Sequence, residues 1–200
     1  MEFFKYSETE TDYLKSTCDK MATTIKKAGK LRRPVEPDIF KGLISSIVSQ
    51  QISTKAAVTV FRRLEKLVGQ ITAKAILAKS DDEIKACGLS YRKVGYIKGI
   101  CEAVINGKLD LAELKKMSDE QVISELIKLP GIGSWSAEML LIFSLQRPDV
   151  LSYGDLIIRK GIMKLYGLDD LNKKDFQQYK ERYSPYGTVA SLYLWDLANE

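Results

Sequence analysis

Two short stretches of this chain combine residue types and spacing suited to chemistry: Leu129-Pro130-Gly131-Ile132-Gly133 and, further on, Gly154-Asp155. In the first, Gly131 and Gly133 permit positive φ and close backbone approach, and Ser134 then opens a helix with Met139, Leu140 and Phe143 along one side. With no side chain at either glycine, the hairpin amides and the next helix N-terminus can lie directly against an anion. In a basic protein that anion is phosphate. In the second stretch an aspartate follows a polar loop and opens another helix, where the helix dipole favours a negative charge, with Arg159 and Lys160 one turn on. Each stretch also has a plainer reading. A bare G-x-G can be a connector between packed helices, and an aspartate at a helix start can be only an N-cap, a role that does not exclude catalysis.

The elements around these stretches read as helix almost throughout, so the expected fold is all-α. Asp12 to Ala28 reads as one helix ended by Gly29, and Leu31 to Pro37 as a linker whose prolines exclude helix. Asp38 caps an apolar helix with Phe40, Leu43, Ile44, Ile47 and Val48 at helical spacing, which predicts burial. Ser49-Gln50-Gln51-Ile52 interrupts that pattern before Ser53 caps a helix running to Val68. Polar glutamines at such a junction can simply satisfy backbone groups. Thr72 and Ser80 start two short helices, Gly88 stops the second, Ser90 caps Tyr91 to Asn106, and Ser118-x-x-Gln121 is a capping box ahead of the hairpin. Beyond Asp155 come a helix to Tyr166, a polar loop from Gly167 to Asp175, a helix to Tyr183 and a last helix capped by Thr188.

Two hundred residues suffice for one domain, or two lobes sharing a core, without disulfide or metal staples. The three cysteines, Cys18, Cys87 and Cys101, are isolated and odd in number, which reads as reduced thiols in a cytoplasmic protein and excludes a four-cysteine iron-sulfur cluster. No apolar run reaches membrane-spanning length and the N-terminus is acidic, so neither membrane span nor signal peptide is expected. The net charge of +5 is unevenly spread. Lys15, Lys20, Lys26, Lys27, Lys30, Arg32 and Arg33 form one basic cluster, and Lys55, Arg62, Arg63 and Lys66 a second on a single helix. Either cluster alone could be a solvated face; beside a phosphate-type hairpin they favour a polyanion.

The hairpin and downstream aspartate together resemble the helix-hairpin-helix DNA glycosylases, closest to the 3-methyladenine (AlkA-type) branch, in which a tryptophan follows the hairpin, here Trp135. Ile47 to Ser53, Gly88 to Lys93, and Pro185-Tyr186 with Tyr193-Leu194-Trp195 agree in the family's order, so the resemblance spans about residues 36–200. It implies two helical lobes with an active cleft between them, residues 36–130 forming one, and residues 1–35 packing with 131–200 as the other. Longer AlkA-type enzymes carry a β-rich N-terminal domain for which about 35 residues are too few, so the compact form is expected.

The resemblance also implies roles. Asp155 is the catalytic carboxylate: cutting a base from deoxyribose passes through an oxocarbenium-like sugar that needs a fixed negative charge. Trp135, Trp195, Met139 and Tyr153 are assigned to the base pocket, the tryptophans matching AlkA-type pocket residues that stack on cationic bases, although either indole could be core packing. Gln50, Gln51, Ile52, Ser53, Gly131, Gly133, Ser134, Arg159 and Lys160 are assigned to DNA binding, with Gln51 as the wedge that fills the vacancy left by the flipped base. The carbonyls of Ile127, Leu129 and Ile132 are expected to hold a Na+ or K+ ion. No iron-sulfur cluster is expected, unlike the endonuclease III branch. Backbone-nicking relatives have a nucleophilic lysine where this chain has Trp135, which implies hydrolysis only. The chain has no histidine, the commonest general acid, which favours bases that leave readily, such as N3- and N7-alkylated purines. Deaminated or etheno bases, and a non-catalytic DNA-binding module, are the alternatives. The expected partner is damaged double-stranded DNA, bound by a monomer. Gly187 stands where the family often has arginine.

Overall fold

The computed structural model describes residues 2–200, which divide into two compact units. The central unit is Glu36–Leu140; the terminal unit combines the segment up to Val35 with Leu141–Glu200.

The central unit contains helices α3 (Ile39–Ser49), α4 (Thr54–Val68), α5 (Ala73–Leu77), α6 (Asp81–Ala86), α7 (Tyr91–Ile105), α8 (Leu111–Leu114) and α9 (Asp119–Leu126). It also contains the hairpin and most of α10 (Ser134–Phe143). Side-chain caps set these helix starts: Asp38, Ser53, Thr72, Ser80, Ser90 and Ser118 each accept an amide of the first turn, and Ser80 and Ser118 complete capping boxes. Each such cap is worth about 1 kcal/mol, which matters most for α5 and α6, too short to persist alone. Leu43, Ile44, Ile47 and Val48 of α3 are buried, as are Val94, Ile97 and Ile100 of α7, on which α3 and α5 pack. The hairpin groups with this unit rather than starting the next one at residue 131, because Pro130 sits on Gly99 and Gly131 on Tyr96.

The terminal unit holds a two-residue antiparallel ribbon, β1 (Glu2–Phe3) with β2 (Pro34–Val35), within an otherwise helical set. Its helices are α1 (Glu8–Thr17), α2 (Asp19–Ala28), α11 (Leu156–Tyr166), α12 (Lys173–Tyr183) and α13 (Gly187–Asn199). The single helix expected over 12–28 is two. Cys18 is extended and its sulfur accepts the Met21 amide, ending α1 and capping α2, while Ser7 starts α1 earlier through a capping box with Glu10. Asn172, rather than the end of the polar loop, caps α12. Every residue of α13 from Gly187 to Trp195 is buried, so this helix is the core on which the others lie. Among the described residues no helix is long and apolar enough to cross a membrane. All three cysteines are free thiols, and burial pushes Cys101 up to about 12.

A close helix contact in this unit depends on Gly161 of α11. A Cβ there would stand 2.4 Å from the Leu194 carbonyl oxygen of α13. Gly161→Ala would gain roughly 1 kcal/mol of helix propensity but impose a backbone clash costing about 1–3 kcal/mol, so the clash should win. The variant is expected to melt several degrees below wild type in a circular-dichroism scan. A raised melting temperature would show that α11 and α13 do not need this approach.

Candidate active site

Asp155 is the N-cap of α11 and is only 6% exposed. Its Oδ1 accepts three hydrogen bonds, from the amides of Ile157 at 2.9 Å and Ile158 at 3.0 Å and from the indole Nε1 of Trp195 at 3.2 Å. Capping alone would use only the two amides. The indole is a third donor brought from α13, and it leaves the carboxylate one orientation. Trp195 is itself fixed, 6% exposed, with its ring stacked on Phe143 at 5.7 Å and the Arg33 guanidinium 5.2 Å from its centroid.

The loop leading to Asp155 is fastened to the same helix. Thr188 Oγ1 donates to the Arg147 carbonyl at 2.6 Å and accepts the Val150 amide at 3.0 Å, and Ser191 Oγ donates to the Val150 carbonyl at 2.9 Å. Thr188, Ser191 and Trp195, spaced by three and four, thus form one polar edge of α13 that grips the loop from Arg147 to Asp155. Thr188 does not cap α13 as the sequence suggested. Tyr186 precedes the helix without a side-chain cap, and Asp149 instead accepts the Gly187 amide at 3.0 Å. A Cβ on residue 187 would lie 2.8 Å from that Asp149 oxygen.

Tyr153 is half-buried, edge-on to Phe176, with the Arg159 guanidinium 4.9 Å from its ring centroid. Arg159 is likewise half-buried and its Nε has no hydrogen-bond partner, whereas Lys160 is exposed. Four cations of the N-terminal basic cluster lie over rings: Lys20 on Tyr166, Lys30 on Tyr6, Arg32 on Phe3 and Arg33 on Trp195. The α4 cations Lys55, Arg62, Arg63 and Lys66 are all exposed.

The remaining site residues belong to the central unit. Trp135, 42% exposed, and Met139 lie four apart on α10. Gly131 has φ +81 and no room for a Cβ, which would meet Tyr96 at 2.3 Å, while Gly133 and Ser134 are exposed with open space at the former. Gln51, Ile52 and Ser53 are exposed too; Ser53 caps α4, and Gln51 holds φ +58, a left-handed value uncommon for any residue but glycine. Gln50 is half-buried, and its Nε2 donates to the Gly131 carbonyl at 2.8 Å. Leu129 O accepts the Ile132 amide at 3.2 Å, and Ile127 is exposed at the end of α9. Sequence reasoning did not single out Asp149, Thr188 and Ser191 as residues that place the loop. Only the three-and-four spacing of Thr188, Ser191 and Trp195 offered a signal.

An all-α chain with an L-P-G-I-G hairpin ahead of a buried, indole-held aspartate has the build of a helix-hairpin-helix repair protein. The chain belongs to the HhH-GPD superfamily of base excision DNA repair proteins, whose family model matches residues 44–185. DNA-3-methyladenine glycosylase 1 of Schizosaccharomyces pombe is 38% identical over 161 residues, covering 78% of this chain and 71% of that protein. The crystal structure of a DNA-3-methyladenine glycosidase from Bacillus halodurans superposes with a TM-score of 0.87 at 38% identity, over 99% of this chain and 93% of that one. The S. pombe 3-methyladenine DNA glycosylase Mag1 in complex with abasic DNA superposes at 0.84 and 34% identity, over 94% and 95%.

Thr188→Val should strand the Val150 amide, at a cost of about 1–3 kcal/mol in urea denaturation, whereas Thr188→Ser should keep most of the stability. Equal losses for the two variants would show that the methyl group, not the hydroxyl, holds the loop.

Proposed function

We propose that this chain is a monofunctional DNA glycosylase, hydrolysing the N-glycosidic bond of alkylated purines of the 3-methyladenine and 7-methylguanine type and leaving an abasic site. The observation that carries this reading is the convergence of three donors on Asp155 Oδ1, downstream in the sequence of a family hairpin. A carboxylate used only as an N-cap has no need of an indole from another helix.

As the glycosidic bond breaks, positive charge develops on the sugar ring, and a fixed negative charge near the anomeric carbon lowers the barrier. The Asp155 carboxylate supplies it without reorganising, because its orientation is set before substrate arrives. Water is the nucleophile. The exposed indole of Trp135 offers a face to a cationic base, a contact worth about 1–3 kcal/mol, with Met139 four residues on along the same helix; Tyr153 is a base-pocket residue by resemblance. Trp195 serves through its Nε1 rather than its ring face, which Phe143 covers. Gln51 wedges into the stack, and the amides of Gly131, Gly133 and Ser134, with Lys160 and Arg159, meet phosphates. The Ile127, Leu129 and Ile132 carbonyls would hold a monovalent cation; Leu129 O, which accepts the Ile132 amide, keeps its second lone pair for such a contact. Such an ion would add positive charge at the phosphate contact. The partner is damaged double-stranded DNA, bound by a monomer.

Asp155→Asn can keep the acceptor at Oδ1 and the α11 cap while removing the charge and exchanging Oδ2 for an amide NH2. It is expected to lower base release by at least about 10²-fold while leaving duplex binding within a few-fold in an anisotropy assay. Lost binding with retained turnover would refute the assignment. Trp195→Phe should keep the stack on Phe143 but lose about tenfold to a hundredfold in release, the value of a hydrogen bond to a charged group. Borohydride should trap no protein-DNA adduct, because Trp135 cannot form an imine. Trapping by wild type that disappears in a lysine variant would show a lyase.

A further inference from the structure

Three residues of α7, spaced by three, each support something different. Lys93 Nζ donates to the carbonyls of Val48 at 2.9 Å and Gln50 at 2.6 Å, at the C-terminal end of α3. One turn on, Tyr96 lies beneath Gly131, and after it Gly99 receives Pro130, whose Cγ would be 2.9 Å from a Cβ there. One ridge of α7 therefore carries both the loop of Gln51 and the hairpin. The Gln50 side chain closes the arrangement by donating to Gly131 O.

Gln51 is the residue that needs this support. Its left-handed backbone is unfavourable for a side chain with a Cβ and persists only where the surroundings impose it. The carbonyl immediately before it, that of Gln50, is the one Lys93 grips most closely. Lys93 is half-buried, and burial with the neighbouring Arg92 lowers its ammonium from the ordinary value. It also sits at the negative end of α3, where a cation is favoured.

We propose that Lys93 is a positioning residue for base extrusion: it clamps the last carbonyls of α3 so that Gln51 is held in its left-handed conformation, ready to enter the base stack. Lys93 touches neither base nor sugar in this account and acts through the Gln51 loop. The inference rests on the wedge reading of Gln51 given above, and its test must separate the two.

The direct readout is the fluorescence of 2-aminopurine placed beside a tetrahydrofuran abasic analogue in a duplex, which rises when a wedge enters, together with kcat and KM for release of 7-methylguanine. Lys93→Met is expected to lower wedge fluorescence and kcat by roughly five- to thirtyfold, the population change expected when a left-handed residue loses its support, with KM within threefold. Because Lys93 acts through Gln51, the double variant Lys93→Met/Gln51→Ala should be no worse than Gln51→Ala alone. If Lys93→Met does not stay folded at assay temperature, Lys93→Gln carries the same test. A Gln51→Ala defect with an unaffected lysine variant would overturn the clamp and leave the wedge standing. Additive losses in the double variant would overturn it as well, since they would show a general effect on stability. No defect in Gln51→Ala would overturn the wedge reading, and the clamp with it.

Discussion

The terminal unit depends on one oxygen atom. Asp155 Oδ1 collects two amides of its own helix and the indole of another, and the surrounding sequence serves that convergence. Gly161 lets α11 approach the α13 backbone closely enough for Trp195 to reach. Thr188 and Ser191 tie the preceding loop to the same edge of α13, and Asp149 meets the Gly187 amide at its start. A buried carboxylate is costly unless its acceptors are used, so the hydrogen bonds that orient Asp155 are also those that make its burial tolerable. The proposed catalytic geometry and local stability therefore rest on the same contacts.

In the central unit the corresponding constraint lies in α7, whose ridge of Lys93, Tyr96 and Gly99 meets two loops of unusual backbone. Gly131 needs the absence of a Cβ, because Tyr96 fills that space. Gln51 adopts a positive φ despite having a Cβ, directly after Gln50, whose carbonyl accepts from Lys93 and whose side chain donates to the Gly131 carbonyl. The two loops expected to meet DNA are thus held by short polar contacts and close packing, not by their own sequence propensity. Rigid support of this kind lets a small exposed loop act on a stiff duplex without first being ordered by it.

Much of this was legible in the sequence wherever the signal was local. The caps at Asp38, Ser53, Thr72, Ser80, Ser90 and Ser118 start helices as their residue types dictate, and Asp155 opens α11. Local signals failed at Cys18, a residue seldom read as a cap, whose sulfur nonetheless divides one expected helix into two. Thr188 misled for the opposite reason: it is a good cap by type, but the Arg147 carbonyl and Val150 amide claim its hydroxyl first. The roles of Lys93, Asp149 and Gly187 depend on partners about forty residues away, and no periodicity or spacing encodes such pairings. Trp195 was foreseen as a pocket residue with core packing as the alternative. Its indole lies in the core and bonds the carboxylate, a combination that only the fold reveals.

A carboxylate fixed in this way is proposed to promote hydrolysis of the glycosidic bond of bases that are cationic in the nucleotide and leave as neutral purines. Mass spectrometry of bases freed from one duplex set carrying 3-methyladenine, 7-methylguanine, hypoxanthine and ethenoadenine tests it most directly. Rapid release of the two methylated purines, with strands intact until alkali treatment, is the predicted result. Release confined to hypoxanthine or ethenoadenine, or no release of any base, would contradict it.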